Sequence, residues 1–360
     1  MSLKARSLED RLRDQIAQTG PITIAEYMVA CLHDPQDGYY ATRPRLGEAG
    51  DFITAPMVSQ MFGELLGLWA AEVWTRLGRP DRVLLVEAGP GDGTLMADAL
   101  RAARHAPGFL DAVKLVLVET SAPLIEAQRA RLVGGPVEPA WAASILELPK
   151  GAPVILIANE LLDCLPAHQF VRVPQGWAER MVGLDGQGEL AFGLSATPGG
   201  VALLEAEVGD LVEVSPAQEL FGAELGALIA RQGGAALLID YGRDQPGAGD
   251  TLQALKGHQK VGPLDGPGEA DLTVHADFPA VAAAARKAGA HAASILTQGE
   301  LLGRLGLYER AEALARARPD RVEILQRQVA RLTAPDQMGV LFKALAIHAP
   351  GLVPPGFEEL

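Results

Sequence analysis

The stretch that decides the fold runs Val83-Leu84-Leu85-Val86-Glu87-Ala88-Gly89-Pro90-Gly91-Asp92-Gly93-Thr94. Its apolar beginning predicts a buried strand, and three glycines follow at every second position. The next residues, 95–101, place their apolar side chains on one face and predict a helix. Glycines between a strand and a helix let the backbone approach a ligand closely, and the N–H groups of the helix start point toward that ligand. The unit therefore predicts a binding loop.

The spacing of the glycines indicates which ligand this loop binds. A dinucleotide fingerprint has the form Gly-x-Gly-x-x-Gly, and Thr94 stands where its third glycine belongs. A phosphate-binding loop needs Gly-Lys-Ser or Gly-Lys-Thr, and no Lys or Arg lies between Val83 and Asp98. Two acids, Glu87 and Asp92, flank the glycines instead. They favour a cofactor with a cationic end, such as S-adenosylmethionine, and the alternative is an ordinary strand–helix turn of an α/β protein.

The composition bounds the class of protein. A chain of 360 residues can form one large domain or two, and a hydrophobic content of 48% is enough for a core. With 31 basic against 45 acidic residues the formal net charge is −14, which argues against nucleic acid as the main partner. Two cysteines far apart, Cys31 and Cys164, indicate a reducing compartment and no metal site. No signal-like core and no membrane-length apolar run is present, so we predict a cytoplasmic protein without a membrane span.

Strands and helices alternate from residue 81 onward. Strands are predicted at residues 83–88, 113–118, 154–158, 235–240 and 340–347, with a weaker one near Val137. Short buried strands that alternate with helices predict an α/β fold with a doubly wound, mostly parallel sheet. Residues 1–80 are predicted as a separate helical region. Within residues 81–360 we predict a β-rich insertion at about 168–232 and a long loop at about 243–270.

Polar residues follow the predicted strands at their carboxyl ends, where doubly wound sheets bind ligands. Glu119 ends the second strand, and a carboxylate there can accept hydrogen bonds from two ribose hydroxyls. Asn159, Glu160 and Asp163 follow another strand. Carboxylates at this place can hold a guanidinium bidentately and promote its loss of a proton. The alternative is that these residues cap and begin a helix.

Blocks of sequence on both sides of the glycine loop narrow the family. They are Asp37-Gly38-Tyr39-Tyr40, Gly50-Asp51-Phe52-Ile53-Thr54-Ala55-Pro56 and the runs at residues 62–67, 87–93, 159–163, 165–170, 239–242, 268–273 and 338–343. Together they make the chain similar to the MidA-like family of class I S-adenosylmethionine-dependent methyltransferases. The glycine loop alone is generic to methyltransferases, whereas the N-terminal and late blocks are typical of this family.

The resemblance implies a seven-stranded methyltransferase sheet and S-adenosylmethionine as the cofactor, with residues 50–56 as a cover. The predicted cofactor-binding residues are Thr54, Glu87, Gly89, Gly91, Asp92, Gly93, Glu119 and Asn159. The predicted catalytic residues are Asn159, Glu160 and Asp163. By resemblance, the methyl acceptor is an arginine of a subunit of respiratory complex I, dimethylated symmetrically.

Two alternatives to this function stay open at the level of sequence. One is a methyltransferase that acts on a small molecule or on another protein side chain. The other is a non-catalytic assembly factor that uses the cofactor fold as a scaffold. The intact glycines and Glu119 disfavour the second, because a site that no longer binds cofactor has no need of them. The oligomeric state does not follow from the sequence.

Overall fold

The computed structural model describes residues 6–42, 54–196 and 205–358. Within these ranges the α-helices are α1 (Leu8–Thr19), α2 (Ile24–His33), α3 (Tyr39–Thr42), α4 (Ala55–Val58), α5 (Gln60–Arg76), α6 (Thr94–Ala103), α7 (Phe109–Ala112), α8 (Ala122–Leu132), α9 (Pro216–Gln232), α10 (Phe278–Lys287), α11 (Gln298–Arg304), α12 (Leu307–Ala317), α13 (Val322–Thr333) and α14 (Met338–Leu341). The strands are β1 (Ile22–Thr23), β2 (Val83–Ala88), β3 (Val113–Val118), β4 (Pro139–Ala142), β5 (Val154–Asn159), β6 (His168–Val173), β7 (Gly176–Leu184), β8 (Leu190–Leu194), β9 (Leu211–Val214), β10 (Gly234–Arg243), β11 (Gln253–Lys256), β12 (Gln259–Val261), β13 (Asp271–Thr273), β14 (Ala276–Asp277), β15 (His291–Ala292), β16 (Leu296–Thr297) and β17 (Phe342–His348).

The main sheet of the described chain has the strand order β15-β17-β10-β5-β2-β3-β4, with β14 paired to β10 and β16 to β17. Strands β10, β5, β2, β3 and β4 run parallel, and β17 is antiparallel to β10. The short strand β15 is antiparallel to β17. The predicted α/β fold with a doubly wound, mostly parallel sheet is confirmed; seven strands follow one another in the order above, and β14 and β16 bring the described sheet to nine instead of the predicted seven. The weakly predicted strand near Val137 lies at Pro139–Ala142.

Strand β2 lies at the centre of the core, and all six of its residues are buried. Successive side chains of a strand point to opposite faces of the sheet. Val83 and Leu85 accordingly pack with residues of α5 and α6, whereas Leu84 and Val86 pack with residues of α9 and α10. Helices therefore cover both faces of the sheet, which explains why its central strands are continuously apolar.

Pairs of glycines let the helices on each face of the sheet approach closely. A Cβ on Gly67 of α5 would lie 2.2 Å from the carbonyl oxygen of Ala99 in α6. On the other face, a Cβ on Gly226 of α9 would lie 2.6 Å from the carbonyl oxygen of Ala285 in α10. Both distances are far shorter than a carbon–oxygen contact, so a larger residue at either position would force the helices apart.

A second sheet stands beside the main one. Its described strands have the order β1-β7-β6-β9, with β8 paired to β7, and all of these pairs are antiparallel. Most of it comes from the β-rich insertion predicted at residues 168–232, but β1 comes from the N-terminal region. Helix α9 also falls within these residues, yet it packs against α10 and β17 of the main domain. The division of the chain into domains stays a prediction.

Residues 243–270, predicted as a long loop, contain two strands, and the prediction is wrong in this part. Strand β11 forms a hairpin with β12 and also pairs with β13. The pairing with β13 joins Gln253 to Thr273 and Leu255 to Asp271. The glycine and proline content of the segment predicted a loop, whereas strand formation here depends on pairing with β12 and with β13, which lies outside the segment.

The N-terminal helices reach the carboxyl edge of the main sheet. Helix α1 begins at a capping box formed by Ser7 and Asp10, and α2 begins at one formed by Thr23 and Glu26. Their buried faces pack against β7 and β13, and α3 packs against α8. Residues 50–53 of the predicted cover lie outside the described residues. No helix in the described part of the chain has both the length and the apolar character that crossing a membrane requires.

Candidate active site

A cavity of about 390 Å³ lies at the carboxyl ends of β2, β3, β4 and β5. The chain runs from β2 to β3 and β4 on one side and returns to β5 on the other, so the strand order reverses at β2. Doubly wound sheets bind their ligands at such a point. The predicted site residues that line the cavity are Thr54, Glu87, Gly89, Gly91, Asp92, Glu119, Asn159, Glu160 and Asp163. Gly93 is not part of the lining; it is the residue at which α6 begins.

The loop after β2 has a conformation that requires glycine. The φ angles of Gly89, Gly91 and Gly93 are +67°, +53° and +83°, all in the left-handed region. A Cβ on Gly89 would in addition lie 3.0 Å from Cδ1 of Leu161. The spacing that distinguished this loop in the sequence therefore corresponds to a backbone that larger residues adopt only with strain.

Two buried acceptor atoms in the cavity wall have no hydrogen-bond partner among the described residues: Oε2 of Glu87 and Oδ1 of Asn159. Glu87 is 2% exposed and Asn159 is 8% exposed. Burial, and then the nearby carboxylate of Asp92, raises the pKa of Glu87 well above its usual range. A buried acceptor without a donor is costly, so these atoms are suited to a ligand that brings N–H groups or positive charge.

Glu119 is held in position by its own loop and by α8. Its Oε1 accepts hydrogen bonds from the backbone N–H groups of Thr120 and Ser121, both at 2.8 Å. Its Oε2 accepts one from Nε2 of Gln128 at 3.2 Å. Burial raises the pKa of Glu119, and these three hydrogen bonds oppose that effect. The carboxylate is thereby fixed at the cavity wall.

Gln128 contacts the site but is not among the residues predicted from the sequence. Its Nε2 also donates to the carbonyl oxygen of Gly91 at 2.7 Å, and its Oε1 accepts from Nε1 of Trp141 at 2.8 Å. It thus ties the glycine loop to the loop that carries Glu119. Its position in the sequence could have indicated this role, because Gln128 is a polar residue on the apolar stripe of α8. It lies four residues from both Leu124 and Leu132, which are buried.

The carboxylate of Asp92 is compensated by a basic residue from another element. Its Oδ1 accepts from the backbone N–H of Thr94 at 3.0 Å, and its Oδ2 forms an ion pair with Arg131 at 2.6 Å. Arg131 comes from α8 and also donates to the carbonyl oxygen of Asp92 at 3.0 Å. Asp92 lines the cavity, but its carboxylate is already paired, whereas Oε2 of Glu87 has no hydrogen-bond partner among the described residues.

Glu160 stands at the end of β5 in an unusual backbone conformation, with a φ angle of +52°. Its Oε1 accepts from Nδ2 of Asn159 at 3.0 Å and from the backbone N–H of Ala55 at 3.3 Å. Burial and the nearby carboxylate of Asp163 raise the pKa of Glu160 to about 8. Residues 160–167 form turns and not a helix, so the alternative of helix capping is wrong.

Three carboxylates meet beside the cavity. Asp240, 1% exposed, accepts from the backbone N–H groups of Leu162 at 2.8 Å and Asp163 at 3.2 Å. Burial, then Asp163 and Glu160, raise the pKa of Asp240 well above its usual range. Burial raises the pKa of Asp163 to about 6, although the hydroxyl of Tyr241 lowers it. Glu160 and Asp240 therefore retain their protons near neutral pH, and a bound cation would favour the loss of those protons.

The chain is similar in sequence to known methyltransferases. A sequence model of a family described as "Putative S-adenosyl-L-methionine-dependent methyltransferase" matches residues 65–296. A Mus musculus protein named "Protein arginine methyltransferase NDUFAF7, mitochondrial" is 40% identical over 292 residues, which is 73% of this chain and 66% of the mouse protein. The Danio rerio protein of the same name is 34% identical over 371 residues, which is 95% of this chain and 87% of the fish protein.

A solved structure agrees with these relatives. It is a Burkholderia thailandensis protein, described as a "likely methyl transferase", with S-adenosyl-homocysteine bound. The two sequences are 27% identical, and the structures superpose with a TM-score of 0.83 over 98% of this chain and 92% of the other. The fold is that of an S-adenosylmethionine-dependent methyltransferase, and S-adenosylmethionine is the cofactor. The chain belongs to the methyltransferase family whose model matches residues 65–296. The predicted cytoplasmic location is wrong by these comparisons, because the mouse and fish relatives are named mitochondrial.

Proposed function

We propose that the protein methylates an arginine side chain of a protein substrate, and that this substrate is a subunit of respiratory complex I. The observation that supports arginine as the methyl acceptor is the cluster of Glu160, Asp163 and Asp240 beside the cavity. A guanidinium is always charged and is bound bidentately by carboxylates. The names of the mouse and fish relatives support the same acceptor. The resemblance to MidA-like methyltransferases supports complex I and symmetric dimethylation.

The proposal divides the cavity into a cofactor half and an acceptor half. In the cofactor half, the unpartnered oxygens of Glu87 and Asn159 would receive the amino group of S-adenosylmethionine. The carboxylate of Glu119 would receive the ribose hydroxyls. The left-handed glycines would allow close approach of the backbone, and Thr54 would contact the cofactor from the start of α4. When bound, the cofactor supplies a methyl group that its sulfonium makes electrophilic.

In the acceptor half, Glu160 is proposed to bind the guanidinium and to receive the proton that a guanidinium nitrogen loses when it is methylated. A proton acceptor works best when its pKa is near the working pH, and burial raises the pKa of Glu160 to about 8. The arriving cation favours the ionised carboxylate, so Glu160 becomes charged when substrate is present. Nδ2 of Asn159 donates a hydrogen bond to Oε1 of Glu160 at 3.0 Å and so holds that oxygen in place. The carboxylate of Asp163 adds negative charge nearby.

The experiment that tests this proposal uses the purified protein with isotopically labelled S-adenosylmethionine and purified subunits of the complex I peripheral arm. We expect label on arginine, identified by mass spectrometry as symmetric dimethylarginine. Label on another side chain, or on a small molecule only, would contradict the arginine assignment. Failure of the protein to bind S-adenosylmethionine in isothermal titration would contradict any methyltransferase activity.

A further inference from the structure

The start of α8 makes a direct contact with the N-terminal region. Ser121, the residue at which α8 begins, donates a hydrogen bond from its Oγ to the carbonyl oxygen of Tyr40 at 2.7 Å. Tyr40 lies in α3, 81 positions earlier in the chain. Ser121 is only 7% exposed, so the hydrogen bond is largely shielded from water. This contact holds α3 against the start of α8.

The same serine belongs to the cofactor half of the cavity. Its backbone N–H donates to Oε1 of Glu119 at 2.8 Å, and this carboxylate is the one proposed to receive the ribose hydroxyls. Gln128 donates to Oε2 of the same carboxylate at 3.2 Å and to the carbonyl oxygen of Gly91 at 2.7 Å. Together with the bond to α3, these hydrogen bonds form one continuous chain from the glycine loop to the N-terminal region.

Tyr40, at the end of this chain, is part of the cavity wall. Its ring stacks on the ring of His33 with 6.0 Å between the centroids, and both residues line the cavity. Its hydroxyl donates to the Asp271 carboxylate at 3.0 Å from Oδ1. Asp271 lines the cavity together with Asp163 of the proposed acceptor half. The placement of α3 therefore determines the shape of the wall beside the acceptor half.

We propose that Ser121 is a positioning residue that couples the binding of the cofactor to the placement of α3. This inference rests on the proposed binding of the ribose at Glu119. Hydroxyls that donate to a carboxylate favour its ionised form, and an ionised carboxylate accepts stronger hydrogen bonds than a neutral one. The cofactor would thereby strengthen the bond from the N–H of Ser121 to Glu119. The serine is then held where its Oγ meets the carbonyl oxygen of Tyr40.

The test cuts this chain at one hydrogen bond. Ser121→Ala keeps the backbone N–H that holds Glu119 but removes the donor to α3, and Ser121→Thr retains a hydroxyl. Ser215→Ala is the matched control, because Ser215 begins α9, is 8% exposed and donates from Oγ to the carbonyl oxygen of Pro166 at 2.8 Å. The described residues that line the cavity include neither Ser215 nor Pro166.

Hydrogen exchange of the backbone amides in α3, followed by mass spectrometry, reports the placement of this helix. We compare each protein with and without saturating S-adenosyl-homocysteine. In the wild type we expect the ligand to slow exchange about tenfold, within the range typical of coupling between two sites. Ser121→Ala should reduce this factor roughly fivefold, the effect of one hydrogen bond. Ser121→Thr and Ser215→Ala should retain it.

The comparison within each variant separates coupling from a structural role. A merely structural loss of stability affects the empty and the loaded protein alike and cancels in their ratio. Isothermal titration should give a dissociation constant of S-adenosyl-homocysteine within about threefold of the wild type for every variant, because each keeps the N–H that holds Glu119. If Ser121→Ala does not bind the ligand, Ser121→Cys replaces it. The thiol is a weak donor, so that variant should lose most of the slowing.

The outcomes distinguish this inference from the proposed function. Slowing in Ser121→Ala, or in its replacement Ser121→Cys, that equals the wild-type value would overturn the coupling through Ser121. The same conclusion would follow if S-adenosyl-homocysteine binds to the wild type without slowing exchange in α3, or if Ser215→Ala loses the slowing as well. In each of these cases the proposed methyltransferase activity stands. Absence of S-adenosyl-homocysteine binding in the wild type would contradict the proposed function and this inference with it.

Discussion

The two halves of the cavity are built in different ways. Most of the proposed cofactor half comes from one continuous stretch after β2 and from the end of the neighbouring strand β3, and only Thr54 and Asn159 come from other elements. The proposed acceptor half draws on segments far apart in the chain, and Asp240 of its carboxylate cluster accepts a hydrogen bond from Leu162, 78 residues away. The comparison teaches that the cofactor of such an enzyme can be inferred from a motif, whereas its acceptor site depends on how distant elements pack.

The halves also differ in electrostatics. The cofactor half relies on left-handed glycines and on a carboxylate held by backbone N–H groups. The acceptor half contains Glu160 in a strained conformation and buried carboxylates whose pKa values are raised. Strain and buried charge reduce stability and are typical of functional sites. Each prediction below changes one half and asks whether the other half responds.

The largest effect is expected for Gly91→Val, which changes the cofactor half. Valine strongly disfavours the φ angle of +53° found at Gly91, and its side chain would block close approach of a ligand. We expect the affinity for S-adenosylmethionine, measured by isothermal titration, to fall at least about 100-fold. Gly134→Val is the matched control, because Gly134 has a φ angle of +71° and a Cβ added there would meet nothing within 4 Å. Equal loss of binding in that control would assign the effect to misfolding.

The next largest effect is expected for Glu160→Gln, which changes the acceptor half. The amide keeps the shape of the side chain but cannot receive a proton. We expect kcat to fall at least about tenfold, in the range typical of a lost general base, while the affinity for S-adenosylmethionine stays the same. Glu126→Gln, in α8 and away from the acceptor half, is the control and should leave both quantities unchanged. Unchanged turnover in Glu160→Gln would remove this residue from the acceptor site.

A smaller effect is expected for Gln128→Ala, which separates the two loops of the cofactor half. Gln128 donates to the carbonyl oxygen of Gly91 and to Oε2 of Glu119, so its loss removes this donor from both oxygens. We expect the dissociation constant of S-adenosylmethionine to rise about tenfold, with kcat at saturating cofactor changed less than threefold. The exposed Gln259→Ala serves as the control. A large fall in kcat would show that the two halves are coupled through α8.

The smallest effect is a dependence of stability on pH that comes from Glu160. The pKa of Glu160 is about 8 in the folded protein and 4.5 in the unfolded chain. At pH values between these two, Glu160 is ionised in the unfolded chain and protonated in the folded protein. The folded protein therefore loses stability as pH rises from about 4.5 to about 8. Because Glu160 is only partly buried, we expect Glu160→Gln to gain about 1 kcal/mol at pH 8 and nothing at pH 4.

Urea unfolding of both proteins at the two pH values measures this difference. A gain that is the same at both values would show that the pKa of Glu160 in the folded protein is not raised above its value in the unfolded chain. Because the same ionisation creates the binding form for a cation, kcat/KM should rise with pH over the window from about 6 to about 8.

Much of the fold could be predicted from the sequence, because its central strands are continuous apolar runs. Strands β2 and β3 lie where the pattern predicted them. The pattern failed in residues 243–270, where β11 is a strand that pairs with both β12 and β13. It also did not show that β1 joins the inserted sheet, since a strand of two residues carries no periodicity.

The candidate site also combines residues that could be predicted from the sequence with contacts that could not. All but one of the predicted site residues line one cavity, because the carboxyl ends of parallel strands meet at one edge of a sheet. Their roles stay predictions. The sequence did not reveal that Arg131 pairs with Asp92, that Gln128 joins the two loops, or that Tyr40 meets Asp271. Each of these contacts joins different elements, and a contact between elements leaves no local pattern.

The sequence by itself determined the doubly wound sheet, the glycine loop and the cofactor, since hydrophobic period and backbone conformation are local properties of the chain. The tertiary structure alone decided which carboxylates share the cavity and how strongly they hold their protons. Burial and the proximity of other charges set those pKa values, and neither exists until distant segments have packed together. The cofactor could therefore be inferred from residues 83–94, whereas the acceptor site took shape only in the folded chain.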